Sequence, residues 1–301
     1  MSQIRLANSA GRPGRPGGAL LPLDPRAPTS VAKQRKRHRE HHHLDLSATG
    51  DHPSTTRQLL GGDPRYGPLP LLLLALTAVT GVVDAVSILQ LGRVFVANMT
   101  GNVVFTGFAI GGAPGFSLSA SVFALAGFLV GATVGGTLIG QLGRDRALLL
   151  GGGGATEFVL VVTACAVAAT TNAPLTSAVR DVIAALLAVA MGIQNAVARR
   201  LAVPDLTTTV LTMTLTGIAA DMRSRSYRPA LLRRLSAVAT MLAGGVLGAW
   251  LVLHTSTAAT LSVAAGIIAI VTAGTALAAR RPGRWREGSP RPDMPPRAIT
   301  T

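Results

Sequence analysis

Asp84 is the only ionisable residue in the apolar stretch Leu69 to Leu91. An ionised carboxylate at bilayer depth costs about 2.5–3.5 kcal/mol even on the lenient insertion scale, so such a residue faces a bundle interior and is paired or protonated. Two chemistries suit it: coupling to a proton or cation, and hydrogen bonding that glues helices together. Glu157, about one third into a later apolar stretch, is a secondary candidate that either snorkels or pairs with an arginine. Gln194 and Asn195 sit in a third apolar stretch. Asn98, Thr100, Asn102, Thr212, Thr214 and Thr216 add uncharged oxygens and amides, which suit a small polar or ionic ligand stripped of water. With Asp84, Gln194 and Asn195 they make up the candidate central polar site.

Other chemistries lack their residues. There is no His-Glu-x-x-His, no Gly-x-Ser-x-Gly and no Cys/His spacing for a metal. Gly151 to Gly154 lacks the Gly-Lys-Ser/Thr ending of a phosphate loop and opens an apolar span. Cys165 is the only cysteine and reads as a small hydrophobe. The triplet His41-His42-His43 lies in a polar tail and reads as solvated, and His254 has no evident partner. No catalytic residue, cofactor or metal is expected.

The elements that must position the polar residues are membrane helices. Only 14% of the 301 residues are charged and 49% are hydrophobic, with a mean hydropathy of +0.44 despite a polar first fifth. A soluble domain carries nearer a quarter charged. Eight apolar segments follow one another: Leu69–Leu91, Val94–Gly112, Phe116–Leu142, Ala147–Thr170, Val182–Ala198, Leu206–Ala220, Leu235–His254 and Ala258–Ala279. Six are long and clean enough to cross a bilayer, which takes about 20 apolar residues. The second and sixth are the most polar. The fold class expected is all-α: a polytopic helical membrane protein of six spanning helices plus two short segments. Residues 1–66 and 281–301 read as disordered basic tails around a membrane domain at 67–280. The first tail lacks the apolar core and cleavage site of a secretory signal.

The net charge of +15 has the sign of a nucleic-acid binder, but its placement argues otherwise. The positive charges lie in the tails and the short connections, as the positive-inside rule distributes them, and the run Lys33 to Arg39 suits anionic lipid headgroups. The partners expected are the lipid bilayer and its anionic headgroups; a homo-oligomer is open, and nucleic acid is not expected.

An internal repeat is visible. Gly81-Val82-Val83-Asp84-Ala85-Val86 resembles Gly192-Ile193-Gln194-Asn195-Ala196-Val197 at an offset of 111 residues. Each is followed by a break, a Thr/Met/Gly stretch and two long spans, giving halves near 69–170 and 180–279. If all eight segments cross, the connecting arginines divide almost evenly between the two sides. If the second and sixth dip in and return, Arg144, Arg146, Arg199, Arg200, Arg223, Arg225, Arg228, Arg233 and Arg234 fall inside, against Arg93 and Arg180 outside. That bias matches the rule and puts both termini in the cytoplasm of a bacterial inner-membrane protein. Three crossings per half then invert the halves, a recurring transporter plan. The alternative is that both segments are ordinary short helices whose threonines bond their own i−4 carbonyls. Gly127, Gly131 and Gly135, and likewise Gly244 and Gly248, recur every four residues and read as close helix packing.

The runs Gly81-x-x-Asp84-Ala85, Phe95-x-Ala97-Asn98-Met99-Thr100-Gly101-Asn102 and Met191-Gly192-x-Gln194-Asn195-Ala196-x-x-Arg199-x-Leu201 resemble signatures of the YoaK-like family of bacterial membrane proteins. The resemblance covers Leu69 to Ala279. It implies a multi-span inner-membrane protein and no specific chemistry. The function expected is a small-solute or ion transporter or channel-like protein. The rival is a non-transporting scaffold, sensor or assembly factor, with an intramembrane enzyme behind both.

Overall fold

The computed structural model describes residues 65–171, 174–204, 206, 214–217, 219, 228–280 and 283–287. Most of the tails expected at 1–66 and 281–301, the His triplet, Thr212 and most of the sixth apolar segment lie outside them. The helices are α1 Leu69–Gln90, α2 Met99–Ile110, α3 Leu118–Leu142, α4 Arg146–Thr170, α5 Ser177–Leu201, α6 Arg228–His254 and α7 Thr257–Ala279, with a 3₁₀ turn at Arg284–Arg286. Residues 214–217 are also helical. All but α2 contain a stretch long and apolar enough to cross a membrane. With 12 residues, α2 rises only about 18 Å against a hydrocarbon core of about 30 Å.

The helix ends follow their sequences. Ser117, Thr176 and Ser256 accept from the backbone amides of Ala120, Val179 and Ala259, and Asp145 accepts from Ala147 and Leu148. Inside the helices Thr77, Thr80, Thr260 and Thr275 donate to the carbonyl four residues back, so their hydroxyls add no uncompensated donor to an apolar interior.

Helix directions follow from the close contacts. A Cβ on Gly127 would meet the Ala185 carbonyl oxygen at 2.8 Å, Gly131 lies against Val189 and Gly135 against Ile193 and Ala196, so α3 and α5 run parallel. Gly244 lies against Ala78, and Gly248 against Val82 and Ala85, so α1 and α6 also run parallel. Cys165 reaches the Ala258 carbonyl and Gly154 faces Thr272, so α4 and α7 run antiparallel. Short turns make α3–α4, α4–α5 and α6–α7 antiparallel hairpins. Together these contacts force α1 and α3 to point in opposite directions. The directions of α1, α3 and α4 are the reverse of those of α5, α6 and α7.

The same contacts are reciprocal. Ala78 and Val189, Val82 and Ile193, and Ala85 and Ala196 are each 111 residues apart, while Gly131 and Gly244, and Gly135 and Gly248, are each 113 apart. A Cβ on Gly81 would meet Met241, Gly244 and Gly245, and one on Gly192 would meet Phe128, Gly131 and Ala132. Thus α1 seats on α6 as α5 seats on α3, and each half completes its packing with a helix from the other.

One face gathers Arg65, Arg144, Arg146, Arg199, Arg200, Arg284 and Arg286, while the opposite face holds Arg93 and Arg180. On the basic face the chain closes into a clasp. Arg286 pairs with Asp145 (Nε to Oδ2 3.0 Å) and donates to the Ala279 carbonyl at 2.9 Å. Trp285 is buried against Gly67, and Arg146 donates to the Arg65 carbonyl and lies over the Tyr66 ring. Partial burial by itself raises the Asp145 carboxyl, but the Arg286 guanidinium and the Leu148 and Ala147 amides outweigh it and hold Asp145 below its ordinary value. A depressed carboxylate stabilises the fold at pH values above its unfolded pKa, and that contribution fades as pH falls through the folded value. The clasp is therefore expected to hold at neutral pH and to open in strong acid. Trp285 quenching by a soluble quencher should then rise in acid, and should already be high at pH 7 in Asp145→Asn. Equal quenching of wild type and variant at pH 7 would refute the clasp.

Candidate functional site

The site begins where α1 ends. Gly92 (φ 93°) and Arg93 (φ 57°) turn the chain back, and a non-helical segment runs alongside α1 with Val94, Val96 and Ala97 buried. It carries the Val96 and Ala97 amides to the Asp84 carboxylate. Asp84 lies six residues before the end of α1, so the segment doubles back about 9 Å at 1.5 Å per residue. From there α2 climbs away, its first residue Met99 following closely on these amides.

Asn102 locks this reversal. It is fully buried; its Oδ1 accepts from the Phe95 amide at 2.8 Å and its Nδ2 donates to the Phe95 carbonyl at 2.5 Å. A non-helical strand of backbone in an apolar interior has no water to satisfy it, and Asn102 supplies both missing partners. Phe95 stacks on Phe105 at 5.6 Å between centroids, and Phe105 and Phe108 pack on Phe116, fastening α2 to the approach to α3.

Across the seam from Asp84, Gln194 on α5 donates to Thr80 Oγ1 at 2.8 Å. Thr80 is the twelfth of 22 residues of α1, at mid-helix, one turn before Asp84 on the same face. It was absent from the candidates read in the sequence. The signal was its position four residues from Asp84; its type alone suggested only back-bonding.

Glu157 is the twelfth of 25 residues of α4 and only 1% exposed. It neither snorkels nor pairs with an arginine, because its face points into the protein. A Cβ on Gly153, on that face, would lie 2.8 Å from Val197 Cγ2 and one on Gly154 2.6 Å from Thr272 Oγ1, so the face looks toward the seam of α4, α5 and α7. With α4 and α5 antiparallel, one turn on from Gly153 is level with three residues back from Val197. Glu157 therefore lies at the depth of Gln194.

Asp84 Oδ1, Glu157 Oε1 and Gln194 Oε1 are buried with no hydrogen-bond partner among the described residues. Each orphan costs about 1–3 kcal/mol, more where charged. The other candidates separate from this cluster. Asn98 is the N-cap residue of α2 but its side chain makes no capping bond, and it is exposed, as are Thr100 and Thr216, while Thr214 is half-buried. Asn195 donates to the Met191 carbonyl at 2.8 Å on its own helix. Asn102 serves the backbone. No group of three or more His, Cys, Asp or Glu suited to a metal occurs among the described residues.

The arrangement is a set of acceptor oxygens at mid-depth, beside a reversal of non-helical chain. Comparison with known proteins agrees with the membrane architecture. No solved structure matches the chain. The transmembrane protein YoaK of Bacillus subtilis (strain 168) is 34% identical over 164 residues, covering 52% of this chain and 68% of YoaK. Residues 72–274 match a family described as a protein of unknown function, DUF1275. That match takes in α1 to nearly the end of α7, and the chain belongs to the DUF1275 family of multi-pass membrane proteins.

Proposed function

We propose that this chain is a small-solute or ion transporter of the bacterial inner membrane, with both termini cytoplasmic and its two halves inverted repeats of one unit. The observation that carries this reading is the opposite direction of the halves combined with their exchanged packing of α1 on α6 and α5 on α3. Halves related in this way can exchange conformations about a central site, which opens alternately to either side. The reversal at 91–98 is the second support. Irregular backbone at membrane depth survives where protein buries it or a wet cavity receives it. Glu157 and Thr80, the partner of Gln194, lie at the middle of their helices, with Asp84 one turn beyond Thr80, where a site for alternating access belongs. The arginine-rich face is then the cytoplasmic one.

Two measurements test the proposal. In a Cys165→Ala background, an impermeant maleimide applied to intact cells should label cysteines at Ser119 and Thr255. Cysteines at Arg144 and Ala202 should react only after lysis. Labelling of Arg144 and Thr255 from the same side would refute the inverted halves. Proteoliposomes of the full chain under imposed H⁺, Na⁺ or K⁺ gradients should then show a flux that Asp84→Asn reduces at least tenfold. Flux unchanged by Asp84→Asn, Glu157→Gln and Gln194→Leu would remove the central site and favour a scaffold or sensor.

A further inference from the structure

We infer that Glu157 and Gln194 form a proton-binding pair at the middle of the bundle, in which the Glu157 carboxyl shares one proton with Gln194 Oε1, and that this pair couples the transport proposed above. The role in coupling rests on that transport reading, whereas the pair itself does not.

Three observations converge. Both side chains are almost completely buried, and each has one oxygen without a partner. The contacts of Gly153 with Val197 and of Gly154 with Thr272 turn the Glu157 face toward α5 at the level of Gln194. The Gln194 amide is held from its other end: Nε2 donates to Thr80 Oγ1, and Thr80 in turn donates to the Leu76 carbonyl. That chain fixes the amide with its nitrogen toward α1 and leaves its oxygen as the acceptor.

The number of oxygens selects the occupant. Calcium takes six to eight oxygens, and magnesium a near-ideal octahedron of them. Among the described residues, the close approach at Gly154 puts Thr272 Oγ1 beside this face of α4, and with the Glu157 carboxyl and Gln194 Oε1 that makes four side-chain oxygens, fewer than either cation takes. The surrounding helical carbonyls accept within their own ladders. A proton needs just one donor and one acceptor, and a single O–H···O bond would leave neither buried group as an isolated charge.

The electrostatic surroundings are sparse. On the elements packed against α4, neither α3 nor α7 carries an ionisable residue within its span. On α5 the charged groups are Arg180 and Asp181 in the first turn and Arg199 and Arg200 in the last. Arg286, beside the start of α4, is taken by Asp145. Asp84 on α1, one turn beyond Thr80, is the other carboxyl that lies away from the first turns of a helix. Among the described residues of α3, α4, α5 and α7, no Lys or Arg lies at mid-helix to compete with the proton for Glu157.

The test is infrared difference spectroscopy on the full chain in liposomes through a pH titration, with proton uptake followed by an entrapped pH dye. A carboxylic C=O band that disappears as pH rises is expected in wild type. It should be absent from Glu157→Gln and shifted to higher frequency in Gln194→Leu and Thr80→Val, where the acceptor is lost or unanchored. Wild-type and Glu157→Gln spectra that coincide at every pH would overturn the pair, and so would a band unmoved by both Gln194→Leu and Thr80→Val. Glu157→Gln nearly conserves shape, so its thermal unfolding should remain close to wild type, and the spectra then compare folded proteins. The dye reports separately on transport. Uptake lost in Glu157→Gln supports coupling. A Glu157 band without any uptake leaves the pair standing and removes the transport reading beneath it.

Discussion

Gly131→Ala and Gly244→Ala are expected to be among the most destabilising single-methyl changes in the protein, lowering the thermal midpoint of the detergent-solubilised chain by several degrees or preventing its accumulation. The added carbon at Gly131 falls on the Val189 carbonyl oxygen and 2.8 Å from its carbonyl carbon and Cα; at Gly244 it falls on the Ala78 carbonyl, with Ala78 Cα at 3.0 Å. These atoms are backbone on a neighbouring helix, so no side chain can swing aside and the helices must separate. Overpacking of this kind costs about 1–3 kcal/mol or more. It is opposed by the higher helix propensity of alanine, about 1 kcal/mol. Gly136, Gly140 and Gly266 supply the control, since a Cβ at each meets nothing within 4 Å. There only the propensity remains, and alanine should be neutral or stabilising. Thermal unfolding of the five variants reads the contrast directly. If Gly131→Ala melts with Gly136→Ala, the intimate α3–α5 seam is wrong.

Asn102→Leu is expected to release the segment between α1 and α2. The substitution keeps bulk but strips both partners from Phe95, whose amide and carbonyl are then orphaned in a water-free interior. At about 1–3 kcal/mol for each group, the loss is large against the contacts that hold the segment. The expected reading is loss of hydrogen-exchange protection confined to 93–98, with α3 to α5 protected as before. Asn102→Asp should be nearly as damaging, because its carboxylate lacks the donor that the Phe95 carbonyl needs and faces that carbonyl with like charge. Unchanged protection at Phe95 in both variants would refute the lock.

This lock also explains a stretch of sequence that composition left opaque. In Phe95-x-Ala97-Asn98-Met99-Thr100-Gly101-Asn102, Phe95 is clasped by Asn102, the Ala97 amide reaches Asp84, and Gly101 leaves room for the Phe95 ring, whose Cδ2 would lie 2.5 Å from a Cβ there. The run is one structural unit, a chain reversal beside a buried carboxylate. Two residues read as ligand groups in the sequence, Asn98 and Thr100, are its exposed members. Asn102, read in the same way, holds backbone.

The division between sequence and fold has a physical cause. Helix length, apolar content and arginine placement are properties of one segment at a time. They were enough to determine a helical membrane protein and its six long apolar helices. Glycines four apart are likewise local, and a Cβ built on Gly127, Gly131, Gly135, Gly244 or Gly248 would come within 3 Å of a neighbouring helix. Which polar residues meet is not local, because it depends on how each helix is rotated and which helix it faces. Tertiary structure alone decided that Glu157 turns inward at the level of Gln194, that Thr80 anchors the Gln194 amide, and that Thr216 turns outward. The antiparallel seam of α4 and α7 was equally invisible in sequence, and it is this seam that makes α1, α3 and α4 run opposite to α5, α6 and α7.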